Sequence, residues 1–283
     1  MLSVQSFAAN NKEGRRVYRE NENLADYAKL YDTMTKRVEV SDETGLIQVL
    51  SYLNPVVIID ESHNFEADLR VDMLKSINPC FILDLTATPR KKSNIISFVD
   101  AMKLKRANMV KLPVIVYNHR STSDVITSAI NLQRSLERKA IELEADGGRY
   151  IRPIVLFQAQ PKTADDNITF DKIKKQLTDI GIPEEQIKIK TASKDEIKNT
   201  DLLSCDCPVR YIITVNALKE GWDCPFAYIL ASLANKSSRM DIEQILGRVL
   251  RLPYTTKHRD DLLNLSYVFT SSADFRAKIE DII

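Results

Sequence analysis

Two acidic residues follow directly after an apolar run in the first part of the chain. The run is Val56 to Ile59, and Asp60 and Glu61 come next. Parallel α/β sheets carry their ligand chemistry at the carboxyl ends of the strands. There, one carboxylate can hold a magnesium ion through water while the other orients or deprotonates an attacking water, as nucleotide hydrolysis requires. The alternative is that the pair caps a helix or lies in a solvated turn.

A glutamine and two arginines form a second candidate site near the end of the chain. Gln244, Arg248 and Arg251 share one face of a helix, because they are spaced i, i+4 and i+7. Planar guanidinium donors suit phosphate groups. The alternative is an ordinary solvated charged face. Gly247 favours the phosphate site, because a glycine inside a helix costs about 1 kcal/mol and usually marks a close approach.

Hydroxyl groups follow another apolar run, Phe81 to Leu83. Thr86 and Thr88 stand in the sequence Thr-Ala-Thr-Pro, where their hydroxyls could hydrogen-bond to neighbouring loops. A threonine in a turn before proline also has an ordinary structural explanation. The pattern alone therefore leaves the role of these two residues open.

A glycine and an acid end a third loop, which follows the run Tyr211 to Ile213. Thr214 opens the loop, Gly221 permits a tight turn, and Asp223 offers a carboxylate near a nucleotide cleft. Trp222 lies between the last two. It is interpreted as a packing residue rather than a base-stacking platform, since it can bury a large apolar area.

Continuous apolar runs alternate with helical patterns along the chain. Runs that are apolar at every position predict parallel strands with both faces buried, and these are residues 56–59, 81–83, 114–116, 154–157 and 211–213. Apolar residues at helical spacing predict helices over 68–76, 123–144, 170–177 and 240–250. The alternation predicts an α/β fold with parallel sheets covered on both sides. The polar stretch 8–42 is interpreted as an insertion, partly helical and partly mobile.

The bulk properties limit the class of protein. A chain of 283 residues suggests about two domains, and a boundary is predicted near residues 111–113, after a basic stretch. The formal net charge of +1 neither supports nor excludes nucleic acid. No apolar run is long enough to span a membrane, and no signal peptide is visible. The four cysteines lack the usual zinc spacing, so reduced thiols in a cytoplasmic protein are expected.

Taken together, the order and spacing of these segments resemble the superfamily-2 (DExH-box) helicases. Asp60-Glu61-Ser62-His63 is similar to the Walker B box, and Thr86 to Pro89 is similar to the third motif. Leu156-Phe157-Gln158 is similar to the fourth motif, Ala217 to Asp223 to the fifth and Gln244 to Arg251 to the sixth. The resemblance is strongest to the helicase-like restriction (Res) subunit of type III restriction endonucleases, through residues 2–7, 150–158 and 247–254.

The resemblance implies two RecA-like parallel-sheet domains. Residues 1–112 would be the C-terminal half of the first, N-terminally truncated domain, and residues 113–283 would be the second. The implied function is that of a fragment of an ATP-dependent DNA translocase or helicase, with ATP and Mg2+ as cofactors. Double-stranded DNA and a modification or specificity subunit of a restriction complex are the implied partners. Two alternatives stay open: a repair or RNA helicase of the same superfamily, and a non-catalytic scaffold or interaction domain.

The resemblance also implies a role for each motif residue. The catalytic residues would be Glu61, which activates water, and two arginine fingers, Arg248 and Arg251. Asp60 would hold magnesium, and the other residues expected at the nucleotide are His63, Gly221, Asp223 and Gln244. The residues expected to link hydrolysis to nucleic-acid grip are Thr86, Thr88, Gln158 and Thr214.

One motif of these helicases is missing from the chain. A phosphate-binding loop needs Gly-Lys followed by Ser or Thr, and none of the seven glycines precedes a lysine. The resemblance places this loop upstream of the matched segments and the restriction nuclease downstream of them. We therefore expect the parent protein to hydrolyse ATP and this fragment alone to be inactive.

Overall fold

The structure is a computed structural model that describes residues 16–34, 36–60, 67–86, 94–161, 167–191, 193–215, 223–234 and 239–280. The chain divides into two compact units, Met1–Phe98 and Val99–Ile283, which we name the N-terminal unit and the C-terminal unit. The division falls before residue 99, whereas the sequence placed a boundary near residue 112. The assignment of these units to a first and a second helicase domain stays a prediction.

Backbone pairing explains why residues 99–112 join the C-terminal unit. The amide of Lys111 donates to the carbonyl oxygen of Leu250 (2.6 Å), and the amide of Leu252 donates to that of Met109 (3.0 Å). The residues preceding the predicted boundary are therefore held by a segment near the end of the chain. The basic stretch after which the boundary was predicted does not reveal such pairing.

In its described residues the N-terminal unit has two parallel strands and two longer helices. Its helices are α1 (Ala28–Tyr31), α2 (Leu46–Leu53) and α3 (Ala67–Ile77), and its strands are β1 (Val56–Asp60) and β2 (Phe81–Leu85). Two short 3₁₀ helices, Arg16–Tyr18 and Glu22–Tyr27, precede them. The strands pair in parallel, with Val56 opposite Phe81 and Asp60 opposite Leu85.

Strands β1 and β2 are less buried than the sequence predicts. Ile59 is buried in a core that α2 and α3 complete, but Val56, Ile58 and Phe81 are 60%, 63% and 52% exposed. The prediction that both faces of these strands are buried is therefore wrong for the described residues. The apolar run is still informative, because it locates each strand to within one or two residues.

Part of the polar stretch before α2 is packed rather than mobile. Val17, Tyr18 and Val38 are buried in the core of the N-terminal unit. The side chain of Gln48 anchors Val38 with two hydrogen bonds, one to its amide (3.1 Å) and one to its carbonyl oxygen (2.9 Å). A few apolar residues in a polar background thus suffice to fix this part of the segment.

The C-terminal unit contains a six-stranded parallel sheet in the order β3-β8-β7-β4-β6-β5. Its strands are β3 (Val114–Asn118), β4 (Ile154–Gln158), β5 (Ile187–Lys190), β6 (Tyr211–Thr214), β7 (Ala227–Ser232) and β8 (Ser266–Thr270). Its helices are α4 (Ala101–Arg106), α5 (Thr122–Ala145), α6 (Phe170–Asp179), α7 (Arg239–Val249) and α8 (Ala273–Glu280). Short 3₁₀ helices occupy Glu184–Gln186, Pro253–Thr255 and Asp261–Asn264. The predicted α/β class with a parallel sheet is confirmed.

Sequence signals set the bounds of α5, the longest helix described. The hydroxyl of Ser121 accepts the amide of Asp124 (3.1 Å) and caps the helix at its start. At its end Gly147 adopts a left-handed conformation (φ 81°), which glycine tolerates without strain. The helix packs on β4, β7 and β8. Every residue of β4, β7 and β8 is buried, which confirms for β4 the predicted burial of both faces; β7 and β8 were not predicted.

Candidate functional site

Polar side chains end all six strands of the C-terminal sheet in one row. The residues in register are Asn118, Thr270, Ser232, Gln158, Thr214 and Lys190. Because the strands are parallel, these residues lie at the carboxyl edge of the sheet, where α/β folds bind ligands. Two of the predicted coupling residues, Gln158 and Thr214, therefore lie side by side at this edge.

The direction of the chain connections changes between β4 and β7. After β4 the chain continues through α6 to β5 at one side of the sheet, whereas after β7 it continues through α7 to β8 at the other. Such a switch point opens a crevice between the two diverging loops. Ser232 and Gln158 meet at the end of these strands, where the hydroxyl donates to the Gln158 side-chain oxygen (2.8 Å).

The two predicted coupling residues at this edge are buried. Gln158 is 4% exposed and Thr214 is 1% exposed. The backbone of Gln158 also accepts the amide of Leu233 (2.9 Å). In this structure Gln158 holds the ends of neighbouring strands together, so its contribution at this edge is to position the loops.

Gln160 is a residue of this edge that the sequence analysis missed. Its side-chain amide donates to the carbonyl oxygen of Leu233 (2.6 Å), and its side-chain oxygen accepts the amide of Ile168 (3.0 Å). Leu233 belongs to the loop after β7, and Ile168 belongs to the loop after β4. Gln160 thus ties together the two loops that diverge at the switch point. The signal was present in the sequence as a second glutamine two residues after Gln158.

Asp223 and Arg251 lie at the opposite, amino edge of the sheet. Asp223 stands four residues before the start of β7, and Arg251 forms an antiparallel bridge with Val110, which precedes β3. The structure therefore divides the predicted site residues of the C-terminal unit between two edges. The connection from β6 to β7 begins with Thr214 at the carboxyl edge and reaches Asp223 at the amino edge.

The side chains of Asp223 and Arg251 form an ion pair. The Nη1 group of Arg251 donates to the Oδ2 atom of Asp223, across 28 positions of sequence. The two side chains are 51% and 50% exposed, Arg251 first. An exposed ion pair contributes at most about 1 kcal/mol to stability. Its effect here is to orient the guanidinium while leaving it accessible to a ligand.

Arg251 lies beyond the helix on which the sequence analysis placed it. Helix α7 ends at Val249, two residues earlier. Backbone pairing of residues 250–252 with residues 109–111 replaces the next helical turn. Gln244 and Arg248 remain on α7, one turn apart and half-buried. The predicted common face therefore holds for Gln244 and Arg248, whereas the position of Arg251 is set by its pairing with residues 109–111.

Gly247 has open space around it in the described part of the chain. It is exposed, and a Cβ built at this position meets no atom within 4 Å. The close approach that the sequence suggested is therefore not met by any described residue. The close approach to Gly247 by a ligand stays a prediction.

Lys111 is a buried cation beneath the ion pair. Its Nζ atom donates to the carbonyl oxygens of Pro225 (2.9 Å), Ala227 (3.0 Å) and Arg251 (2.7 Å). Burial lowers the pKa of Lys111 to about 7, and the charges of Cys224 and Asp223 oppose this shift. Burial also raises the pKa of the Cys224 thiol to about 11. In the sequence, Lys111 stands out only by its place at the predicted boundary near residues 111–113.

The predicted site residues of the N-terminal unit are described in part. Asp60 is exposed at the end of β1, and Thr86 is half-buried directly after β2. Because these strands pair in parallel, Asp60 and Thr86 lie at the same edge. Glu61, His63 and Thr88 lie outside the described residues, as does Gly221 of the C-terminal unit. Their predicted roles stay predictions.

The described residues contain no group of three or more His, Cys, Asp or Glu side chains that could hold a metal ion. Magnesium keeps several waters and needs only one or two carboxylates, so the exposed Asp60 is compatible with it. None of the described helices combines the length and the apolar character needed to cross a bilayer.

Comparison with known proteins matches the first third of the chain to one family model. Residues 3–91 match the family model of the type III restriction enzyme, res subunit. That segment is 89 of the 283 residues, and it includes both the Walker B box and the third motif. The match confirms the resemblance inferred from the sequence over this part of the chain. No curated protein matches the chain.

Solved structures of restriction enzymes and helicases share a loose likeness with the chain. A fragment assigned to the HsdR subunit of a type I restriction enzyme from Vibrio vulnificus is 18% identical, with a TM-score of 0.46 over 77% of this chain and 44% of its own. The DNA-bound type ISP restriction-modification enzyme LlaBIII is 13% identical, with a TM-score of 0.42 over 78% of this chain and 19% of its own. S. cerevisiae Dbp5 bound to RNA and ADP–BeF3 is 13% identical, with a TM-score of 0.42 over 97% of this chain and 86% of its own. The chain thus spans less than half of the two restriction-enzyme chains.

Proposed function

We propose that the chain is part of an ATP-driven nucleic-acid translocase that works as the restriction subunit of a type III restriction-modification enzyme. The observation that carries the proposal is the half-exposed Arg251, held by Asp223 at the amino edge of the parallel sheet. Both residues were predicted for the nucleotide from separate motifs, and they meet in space. The family match over residues 3–91 supports the same class.

Arg251 would stabilise charge on the transferring phosphoryl group. Its ion pair with Asp223 is weak enough to be exchanged for a phosphate oxygen, and its planar fork suits that oxygen geometry. A guanidinium that gains its partner mainly in the transition state accelerates the reaction rather than tightening binding. Arg248 and Gln244, on the adjacent helix α7, would contribute further donors to the same nucleotide. Asp223 keeps the guanidinium oriented until the nucleotide arrives.

The N-terminal unit would supply the carboxylates. Asp60, exposed at the end of β1, would hold magnesium through water, and Glu61 next to it would orient the attacking water. Magnesium, when bound, supplies positive charge that offsets the charge developing on the phosphate oxygens. His63 would link the nucleotide state to the movement of the motor. Thr86 and Thr88, which follow the neighbouring strand, would link ATP hydrolysis to nucleic-acid binding.

The connection from β6 to β7 would couple nucleotide binding to nucleic-acid binding. It begins with the buried Thr214 at the carboxyl edge and ends with Asp223 at the amino edge. A shift of Asp223 on nucleotide binding would therefore pass along one connection to the edge where Gln158 and Gln160 hold the loops. Gly221, within this connection, would permit a tight turn. Double-stranded DNA is the nucleic acid on which the protein is proposed to translocate, and a modification subunit is its proposed partner.

The proposed function is tested by reconstituting ATP hydrolysis. The 283-residue chain has no Gly-Lys-Ser/Thr sequence, so we expect no turnover from it alone. A protein that carries this chain together with such a loop should hydrolyse ATP, and double-stranded DNA should stimulate it. Stimulation by RNA instead of DNA would favour an RNA helicase of the same superfamily. A complete, correctly folded protein with no turnover on any nucleic acid would favour a scaffold and contradict the proposal.

A further inference from the structure

Two segments of the C-terminal unit converge on one ammonium group. Lys111 is fully buried, and the carbonyl oxygens that surround its Nζ atom belong to Pro225, Ala227 and Arg251. The first two follow Asp223 in the chain, and the third belongs to Arg251 itself. The side-chain ammonium therefore touches the backbone of both segments that carry the ion pair.

The chemistry of lysine matches this arrangement. An ammonium has three N–H donors and no acceptor, and three carbonyl oxygens lie at 2.7–3.0 Å. A buried charge is costly unless such partners satisfy it. An apolar residue of similar length would fill the space but would leave three buried carbonyl oxygens without this donor. The lysine is thus explained by the carbonyl groups that it joins, rather than by packing alone.

The backbone of the same residue reinforces the contact. The Lys111 amide donates to Leu250 (2.6 Å), and its carbonyl oxygen accepts the hydroxyl of Ser266 (3.2 Å) at the start of β8. The ring of Tyr228 lies 4.2 Å from Nζ, measured to the ring centroid, and closes the site from another side. Side chain and backbone together fix the residues that flank Arg251.

We propose that Lys111 is a positioning residue that holds Arg251 and Asp223 at the distance their ion pair requires. Its ammonium acts on the backbone of both segments and does not touch the nucleotide. The role in positioning stands on the described contacts, whereas its importance for turnover rests on the proposed function. The two parts are tested separately below.

Arg152 provides a matched control. It is 1% exposed and donates to three backbone carbonyl oxygens, those of Leu202, Ser204 and Val209. It precedes β4 and so lies at the same amino edge, but the segment it holds leads into β6. Lys111 and Arg152 therefore share chemistry and burial and differ in which segments they hold.

Hydrogen exchange tests the positioning role without any activity. In Lys111→Met we expect amide exchange to accelerate by about tenfold or more at residues 224–228 and 249–252, because local opening becomes easier. Residues 202–210 should keep their wild-type rates. Arg152→Met should show the reverse pattern. Unchanged exchange at 249–252 in Lys111→Met, or the same pattern in both variants, would overturn the proposal.

A second variant keeps the test decisive if Lys111→Met does not fold. Lys111→Gln keeps two of the three donors on a shorter side chain, so it should show the same pattern to a smaller extent. If Lys111→Met does not fold, Lys111→Gln decides the question. Wild-type exchange at both segments in a folded Lys111→Gln would contradict the positioning role.

Turnover then tests whether positioning matters for catalysis. In the protein that carries the phosphate-binding loop, Lys111→Met should lower kcat at least tenfold with little change in KM. The same substitution in an Arg251→Ala background should lower kcat no further, because the residue that it positions is gone. When it is assayed below the melting temperature of the variant, Arg152→Met should keep the wild-type kcat.

Equal kcat losses on Lys111→Met in the wild-type and the Arg251→Ala backgrounds would show that Lys111 does not act through Arg251. If the unsubstituted protein has no turnover, the proposed function fails while the exchange result still stands.

Discussion

The Lys111 ammonium lies 2.7 Å from the carbonyl oxygen of Arg251, although the two residues are 140 positions apart in the chain. The same ammonium reaches two residues that follow Asp223. Buried hydrogen bonds thus fix the backbone under an exposed ion pair whose own attraction is weak. The amino edge of the sheet can therefore present an accessible guanidinium in a defined position.

Burial of Lys111 predicts a pH dependence of stability. The pKa of Lys111 is lowered from 10.5 to about 7. Below about pH 7 the folded Lys111 is the ammonium that donates to the three carbonyl oxygens. Between pH 7 and 10.5 the unfolded chain binds a proton that the folded chain lacks, so the free energy of unfolding rises with pH in this window. Relative to Lys111→Met, the wild-type chain should gain stability from pH 7 to pH 10 in denaturant-induced unfolding. A difference that stays flat over this window would mean that the carbonyl oxygens keep Lys111 protonated.

The two units should differ in local stability. The strands β1 and β2 expose Val56, Ile58 and Phe81 by more than half, whereas every residue of β4, β7 and β8 is buried. Regions with less buried apolar surface open more easily. Amide exchange should therefore be faster over residues 46–85 than over 154–158 and 227–232. Equal protection in a monomeric sample would contradict this prediction, and sedimentation analysis provides the check on self-association.

Substitution of Gly247 separates stability from function. An exposed glycine in a helix costs about 1 kcal/mol relative to alanine, and a Cβ at this position meets no described atom within 4 Å. Gly247→Ala should therefore raise the free energy of unfolding of the chain by about that amount. In the ATP-hydrolysing protein the same substitution should lower kcat, if the open space at Gly247 receives a ligand. A more stable variant with unchanged turnover would show that nothing approaches this glycine closely.

Gln160 should be needed for the loops at the switch point. Gln160→Ala removes the side-chain bonds to Leu233 and Ile168, and each lost buried hydrogen bond costs about 1 to 3 kcal/mol. Amide exchange at residues 167–169 and 232–234 should accelerate, and nucleic-acid affinity should fall. Gln176→Ala, at an exposed glutamine of α6, is the control and should change neither. Wild-type exchange in Gln160→Ala would contradict the role assigned to this side chain.

The sequence predicts strands and long helices well because their apolar periodicity is local. The predicted helix over 123–144 is observed as Thr122–Ala145, and the predicted strand over 154–157 is observed as Ile154–Gln158. Strands β7 and β8 were missed, although β7 reads Ala-Tyr-Ile-Leu-Ala-Ser and is wholly buried. Small residues at its ends weaken the apolar signal, and partner strands supply the burial that the sequence cannot show.

The sequence identifies residues of the candidate site, but it does not predict how they lie relative to one another. The motifs named Asp223 and Arg251, yet their meeting depends on pairing of residues 250–252 with 109–111, across a long sequence separation. Helical periodicity placed Arg251 on α7, because propensity carries no information about a competing backbone partner. Lys111 and Gln160 act through backbone carbonyl groups, and although a second glutamine after Gln158 is visible in the sequence, the carbonyl group that it contacts is not. Residues of this kind become visible only in the folded chain.

Turnover by Arg251→Ala tests the central claim most directly. The measurement is steady-state ATP hydrolysis, stimulated by double-stranded DNA, in the protein that joins this chain to a phosphate-binding loop. An arginine that stabilises the transition state is worth about a thousandfold or more in rate, so kcat should fall by that order while KM changes little. Arg251→Lys should restore little, since lysine lacks the planar fork. Arg259→Ala, at an exposed arginine after the short 3₁₀ helix at 253–255, should keep wild-type turnover. Near-normal kcat in Arg251→Ala would contradict the assignment of Arg251 as an arginine finger and, with it, the translocase proposal.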